Sequence, residues 1–257
     1  MLIEDLRREK GRALHFTLLD PDRQTPVEAG RLAAACRDAG TDAIMVGGSG
    51  RFRTALLERT VGAVKSGAGL PTILFPGSAL AITPRADFVF FMSLLNADHP
   101  RYLIREQTKA APGIARSGLP TISMGYIVVS TSRRKTSVER RAARDRIGKS
   151  DVEKAVAYAL AGRYLGMSCL YLEAGSGAEV PVPPEMVAAV KTRAGLPLLV
   201  GGGIRTPGRA ARLVGAGADV IVTGTVVERD ISRLRGIILA VHAPGSPAGH
   251  IIRRPLG

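Results

Sequence analysis

Eight short apolar runs recur along the chain, most of them separated by a stretch with helical spacing, and this alternation is what most limits the fold. The runs are 13–19, 42–46, 71–75, 86–92, 121–129, 168–172, 197–200 and 219–223. Most of them end in glycine or a small polar residue, as in Gly47-Gly48-Ser49-Gly50, Gly201-Gly202-Gly203 and Gly224-Thr225. Eight strand–helix units in 257 residues argue for an α/β fold, a (β/α)8 TIM barrel of about 250 residues, over an open doubly wound sheet. No Gly-x-Gly-x-x-Gly follows the first strand. The dinucleotide-binding alternative therefore lacks its fingerprint.

Local signals set the helix ends. Thr25-Pro26 supplies an N-cap with proline in the first turn of a helix that runs to about Ala39 and stops at Gly40. Further helices are predicted near 53–65, 100–115, 152–165, 184–194, 207–215 and 228–241. Between Phe75 and Asp87 only about one helical turn fits, so the third crossover helix is predicted to be missing or replaced by a loop. An open wall there would leave an apolar groove able to take a long hydrocarbon, whereas a covering loop would close it. Both readings stand. The domain prediction is one barrel over 1–257, with an exposed basic loop at about 130–150 and a loose tail from about 243.

Composition narrows the class. With 46% hydrophobic and 23% charged residues the chain can bury a sizeable core and is not a disordered polypeptide. The stretch Met1 to Arg12 is charged and has no apolar centre, and the longest apolar run, around Phe88 to Leu95, falls short of the roughly 20 residues that span a bilayer. A cytoplasmic protein is the expectation. Cys36 and Cys169 form no metal spacing and read as small buried apolar residues. Of the net charge of +14, six charges come from 130–150, where eight Lys and Arg face two acids. The absence of tryptophan and an aromatic content of 4% remove the stacking platform of a single-strand binder. No nucleic-acid partner is expected.

The chemistry concentrates at strand ends. In Tyr171-Leu172-Glu173-Ala174-Gly175-Ser176-Gly177 a carboxylate and bare backbone amides leave one strand together, an arrangement suited to holding a hydroxyl beside an anion. Gly202 and Gly203 after strand seven, and Gly224 and Thr225 after strand eight, stand where such barrels bind phosphate, with the helix start at Pro207 adding a favourable partial charge. Asp20 and Ser49 end the first two strands and are hard oxygen ligands suited to Mg²⁺, which takes the rest of its shell from phosphate and water. A rival reading makes Asp20 a helix cap or a general acid. That acid would need a partner across the barrel, where strands five and seven end in Val129-Ser130 and Gly201. His15 reads as a core histidine and Asp22 as part of the Pro-Asp turn.

Together these stretches closely resemble the geranylgeranylglyceryl phosphate synthase family, with its bacterial heptaprenylglyceryl phosphate synthases. The resemblance rests on 15–22, 40–49, 90–96, 171–177, 201–206 and 217–228 and covers nearly the whole chain. It implies a Mg²⁺-dependent transfer of a prenyl group from a prenyl diphosphate to a hydroxyl of sn-glycerol-1-phosphate, with Asp20 and Ser49 at the family's metal positions. It also implies that Tyr171, Leu172, Glu173, Ala174, Gly175, Ser176, Gly177, Gly202, Gly203, Gly224 and Thr225 hold the acceptor. Glu173, which would orient the acceptor and take its proton, and Tyr171 are the catalytic candidates. A homo-oligomer with peripheral membrane contact for product release is expected.

One departure stands out. After Val129 the family continues Glu-Pro-Gly, whereas this chain has Ser130-Thr131-Ser132-Arg133-Arg134-Lys135. A relative in moenomycin biosynthesis prenylates 3-phosphoglycerate, and the cations here would suit such an acidic acceptor. A non-catalytic barrel that docks on anionic membrane is the reading from another class.

Overall fold

The structure, a computed structural model, describes residues 2–48, 53–133, 136, 139–140 and 145–243, the side chains at 228 and 229 excepted. Its strands are β1 (Leu14–Leu19), β2 (Ala43–Gly47), β3 (Thr72–Phe75), β4 (Phe88–Leu94), β5 (Thr121–Ser130), β6 (Ile147–Gly148), β7 (Cys169–Glu173), β8 (Leu198–Gly201) and β9 (Val220–Thr223). All pairings are parallel, and the ring β1-β2-β3-β4-β5-β7-β8-β9 closes through β9 on β1. Among the described residues the short β6 pairs with the last residues of β5. The expected TIM barrel is therefore what forms. Among the described residues no helix is long and apolar enough to cross a membrane.

Side-chain alternation sorts the strands into two cores. Leu14 and Phe16, Met45, Ile73 and Phe75, Met124 and Tyr126, Cys169 and Tyr171, Leu199, and Val220 and Val222 fill the barrel. Their neighbours of opposite parity, among them Ile44, Leu74, Ile127, Leu172 and Ile221, pack under the helices. Both faces are buried, which is why the strands read as continuous apolar runs.

The helices are α1 (Leu2–Lys10), α2 (Pro26–Ala39), α3 (Thr54–Ala68), α4 (Glu106–Ser117), α5 (Val152–Tyr164), α6 (Pro184–Ala194), α7 (Pro207–Gly215), α8 (Thr225–Arg229) and α9 (Ser232–His242), with a π-helical turn over Arg101–Arg105. Thr25 caps α2 as expected: its hydroxyl accepts from the Glu28 amide at 3.3 Å, the Glu28 carboxylate accepts from the Thr25 amide at 2.8 Å, and Gly40 ends the helix at φ 103°. No helix lies between β3 and β4. The third crossover helix is missing, as its residue count requires.

Two expectations need correction, and α1 comes in addition to the expected elements. The charged N-terminus forms α1, which buries Ile3 completely against the barrel core and ties Arg7 to Asp219 at 2.8 Å. The last predicted helix is two, because Asp230 accepts from the Ser232 amide at 3.2 Å and starts α9 afresh. The basic segment is not a simple exposed loop: Thr131, Thr136, Glu139 and Ile147 are buried. Glu139 accepts from the Thr136 amide at 2.7 Å and from the Ser130 hydroxyl at 2.6 Å. The tail beyond 243 lies outside the described residues.

Candidate active site

Alternation also decides which strand-end residues face the barrel mouth. Glu173 continues the inward series Cys169–Tyr171, and Leu18 continues Leu14–Phe16. Both line a polar cavity of about 70 Å³ at the C-terminal ends of β1, β7, β8 and β9. Of the acceptor residues expected from the sequence, Tyr171, Glu173, Ser176, Gly177, Gly202, Gly203, Gly224 and Thr225 line it. Leu172 and Ala174 have the opposite parity and belong to the outer core. Gly175 is not part of the lining, and its amide donates to Glu173.

Glu173 is the chemical centre of this cavity. Its side chain is 7% exposed. Its Oε1 accepts from the Gly175 amide at 2.5 Å, and the Tyr171 hydroxyl also donates to it. Burial pushes the carboxyl above its usual range, and the two hydrogen bonds only partly offset this. The same burial, with the Glu173 charge beside it, holds the Tyr171 hydroxyl protonated far above its ordinary range. The result is a desolvated carboxylate oriented by one phenol and one amide, the arrangement of a proton acceptor.

Glycines make room for it. Gly202 has φ 81°, and a Cβ there would sit 2.5 Å from Glu173 Oε1 and 2.6 Å from the Gly175 nitrogen. Ser176 and Thr225 hydroxyls lie 3.2 Å apart and join the β7 and β9 loops across the cavity. Sequence reasoning missed Arg205, which lines the cavity. Its guanidinium donates to the Gly177 and Ala178 carbonyls at 3.2 and 2.8 Å. Its signal was a cation two residues beyond a triple glycine. The helix start expected at Pro207 is not part of the lining, which instead reaches Gly224, Thr225 and Val226 at the start of α8. At α7 the Thr206 hydroxyl accepts from the Arg209 amide at 3.3 Å.

A second, apolar groove of about 140 Å³ opens where the third helix is missing. Segment 76–79 and Ile82 form one side, and Tyr102, Gln107, Ala110 and Ile114 the other. The loop thus walls the gap without filling it. Glu106 spans the groove, accepting from the Ala79 amide at 2.9 Å, and that bond with its neighbouring cations holds the carboxyl below its usual range. Phe75 and Tyr126 line the groove and Tyr171 lines the polar cavity. The three rings touch, with centroids 5.6, 5.7 and 5.3 Å apart. Two cavities, one strongly apolar and one lined by glycines, hydroxyls and Glu173, therefore share one aromatic wall.

Asp20 follows β1, its side chain 19% exposed. Its Oδ1 accepts from the Asp22 amide at 3.1 Å, which makes the Pro-Asp turn. Gly48 faces it at φ 143°, where a Cβ would come within 2.7 Å of Oδ2. A glycine thus keeps space in front of a hard carboxylate oxygen, and this fits Mg²⁺, which needs one or two carboxylates when phosphates supply the rest. Ser49 lies outside the described residues. Among the described residues no group of three or more His, Cys, Asp or Glu converges on one point. His15 is a core histidine, its ring nitrogens 2.9 Å from the Thr41 and Thr223 hydroxyls, and burial lowers its pKa to about 3. Cys36 and Cys169 are buried and free. Arg133 is exposed and does not line the polar cavity, and Arg134 and Lys135 lie outside the described residues.

Comparison with known proteins agrees with this geometry. The profile of the PcrB family matches residues 4–241. Geranylgeranylglyceryl phosphate synthase of Methanothrix thermoacetophila is 50% identical over 234 residues, 90% of this chain and 91% of that protein. The enzyme of the same name from Pyrococcus abyssi is 48% identical over 220 residues, 86% of each chain. The crystal structure of (S)-3-O-geranylgeranylglyceryl phosphate synthase from Thermoplasma acidophilum in complex with substrate sn-glycerol-1-phosphate superposes with a TM-score of 0.89 at 39% identity, covering 94% of this chain and 98% of that one. With a family profile spanning almost the whole chain and relatives at up to half identity, the chain belongs to the PcrB family.

Proposed function

We propose that the protein transfers a prenyl group from an isoprenoid diphosphate to a hydroxyl of sn-glycerol-1-phosphate, forming an ether bond, with Mg²⁺ as its cofactor. The observation that carries this reading is the shared aromatic wall: an apolar groove fit for a hydrocarbon tail and a glycine-lined polar cavity fit for a phosphorylated three-carbon acceptor meet at Phe75, Tyr126 and Tyr171. The acceptor named for the Thermoplasma acidophilum relative has that chemistry.

The residues imply the following order of events. Gly202, Gly203, Gly224 and Thr225 receive the phosphate through backbone groups, and Arg205 braces the Gly177–Ala178 loop beside it. Glu173 accepts a hydrogen bond from the acceptor hydroxyl and aims its oxygen at the first carbon of the prenyl chain. A C–O bond forms there as the bond to the diphosphate breaks. The electron pair leaves with the diphosphate and the hydroxyl proton passes to Glu173. Asp20 would hold the metal, with Ser49 as a candidate second ligand, and Mg²⁺ when bound screens the departing diphosphate. The aromatic wall keeps water from the cation-like carbon. The start of the basic segment packs on the loop after β7, where the Ser132 hydroxyl accepts from the Glu179 amide at 2.8 Å and Thr136 lies against Gly175, so 3-phosphoglycerate is kept as the alternative acceptor and is offered in parallel in the assay.

The test is an extraction assay with labelled prenyl diphosphates of several lengths. Lipid product with glycerol phosphate, lost with a chelator and restored by Mg²⁺, is expected; no product with any chain length removes the proposal. Ala110→Phe, which narrows the groove, should cost longer chains at least about tenfold in kcat/KM relative to shorter ones. Gly202→Ala places a methyl against Glu173 and forces a strained backbone, at a stability cost of about 1–3 kcal/mol. Isothermal titration should show acceptor affinity down by about tenfold or more, since one misplaced polar contact is worth that much, with diphosphate affinity unchanged.

A further inference from the structure

Of the seven large apolar side chains exposed among the described residues, Val27, Tyr164, Leu165 and Leu239 line neither cavity, and the other three border the apolar groove. Among the described residues Leu80 is 76% exposed, Ile104 54% and Leu103 38%. All three belong to the two segments that wall the apolar groove: Leu80 follows Ala79, and Leu103 and Ile104 sit in the π-helical turn directly after Tyr102. Single exposed hydrophobes need no explanation, but a cluster continuous with an apolar cavity does. Cations share these segments: Arg85 and Arg105 are exposed, and Arg101 and Lys109 flank Glu106 at 3.1 and 3.7 Å. The carboxylate of Glu106 is turned inward to Ala79, so the rim presents leucine and isoleucine with the exposed Arg85 and Arg105 in the same segments.

We infer that this rim, Leu80, Leu103 and Ile104 with Arg85 and Arg105, is the surface by which the protein docks on an anionic phospholipid bilayer, setting the groove mouth against the membrane. This deepens the proposed function and rests on it for its purpose: a prenyl chain held in the groove could then pass between protein and lipid without crossing water. Exposed apolar side chains enter the headgroup boundary while arginines meet anionic lipid, and each contribution alone is too weak to anchor the protein. Charge and apolar character together select an anionic bilayer over a neutral one.

The experiment is co-sedimentation of the full chain with vesicles of phosphatidylcholine alone and of phosphatidylcholine with phosphatidylglycerol. Binding to the anionic vesicles only is expected. The triple variant Leu80→Ser, Leu103→Ser, Ile104→Ser changes exposed positions outside both cavities, so its fold and its turnover of a short, water-soluble prenyl diphosphate should persist. Its apparent affinity for anionic vesicles should fall at least about tenfold, and its turnover of a long-chain diphosphate delivered in those vesicles should fall in parallel. Arg85→Glu with Arg105→Glu should weaken binding similarly at low salt. Wild-type vesicle affinity in the triple variant would overturn the inference, as would a change from oligomer to monomer by light scattering, which would make the rim an interface between copies. Vesicle binding is read without any prenyl transfer, so failure of the catalytic reading is separately visible.

Discussion

Exchanging Glu173 for glutamine should lower kcat by about a hundredfold, the lower range of what a positioned proton acceptor contributes, with acceptor affinity changed by no more than about threefold. The amide keeps the volume and an oxygen for the Gly175 donor, and its NH2 can donate to the Tyr171 hydroxyl oxygen, so what disappears is the capacity to take the proton. Two further signatures separate this from a structural loss. Burial raises the Glu173 carboxyl above its ordinary range, so the ionised base is depleted as pH falls through that raised value. The wild-type kcat/KM should therefore drop on the acid side at a pH above that of an ordinary carboxylate, and the glutamine variant should lack that limb. Stability should move the other way. A carboxyl whose folded pKa is raised favours the fold below its unfolded pKa and loses that contribution as pH rises through the folded value. At neutral pH the buried charge is a cost, and its removal should leave Tm unchanged or higher. Near-wild-type turnover in the folded variant would take the proton-acceptor role from Glu173.

Much of this was legible in the chain because a barrel strand announces itself twice. Strands buried on both faces stay apolar throughout, and their C-terminal ends need glycine where a ligand or another backbone comes close, as at Gly47, where a Cβ would collide with the Phe75 carbonyl. The missing crossover was legible by counting, since residues 76–87 cannot hold a helix that spans a strand. What escaped depends on contacts distant in sequence. Nothing local marks α1 as a barrel plug, because Leu2, Ile3 and Leu6 form a stripe too short to stand out among charges. The segment after β5 was judged by its arginines, while its packing is set by Ser130, Thr136 and Glu139 satisfying one another and by Thr131 donating to the Val180 carbonyl at 2.7 Å. Leu172 and Ala174 show the limit of motif reading from the other side: they lie within the acceptor stretch, yet parity sends their side chains to the outer core.

Exchanging Asp20 for asparagine should lower kcat/KM for the prenyl diphosphate by about a hundredfold at limiting magnesium, with partial recovery as magnesium is raised, because a hard cation loses its one protein carboxylate while phosphate oxygens remain. The substitution is informative because the local turn survives it. Asparagine Oδ1 can still accept from the Asp22 amide, now bonded at 3.1 Å, and the space kept by Gly48 is unchanged, since both side chains have nearly the same shape. A loss of activity then reports the charge, with its pairing to Arg23 at 3.9 Å, and not the Asp22 turn. Glycerol phosphate binding measured by titration should stay near the wild-type value, because the polar cavity is lined from β7, β8 and β9 and includes Leu18 but not Asp20. If Asp20 instead acted as a general acid, its loss would alter the pH profile and leave the magnesium titration alone. A folded variant with wild-type magnesium dependence would remove Asp20 from the diphosphate site and leave it a structural role, in its turn with Asp22 and its ion pair with Arg23.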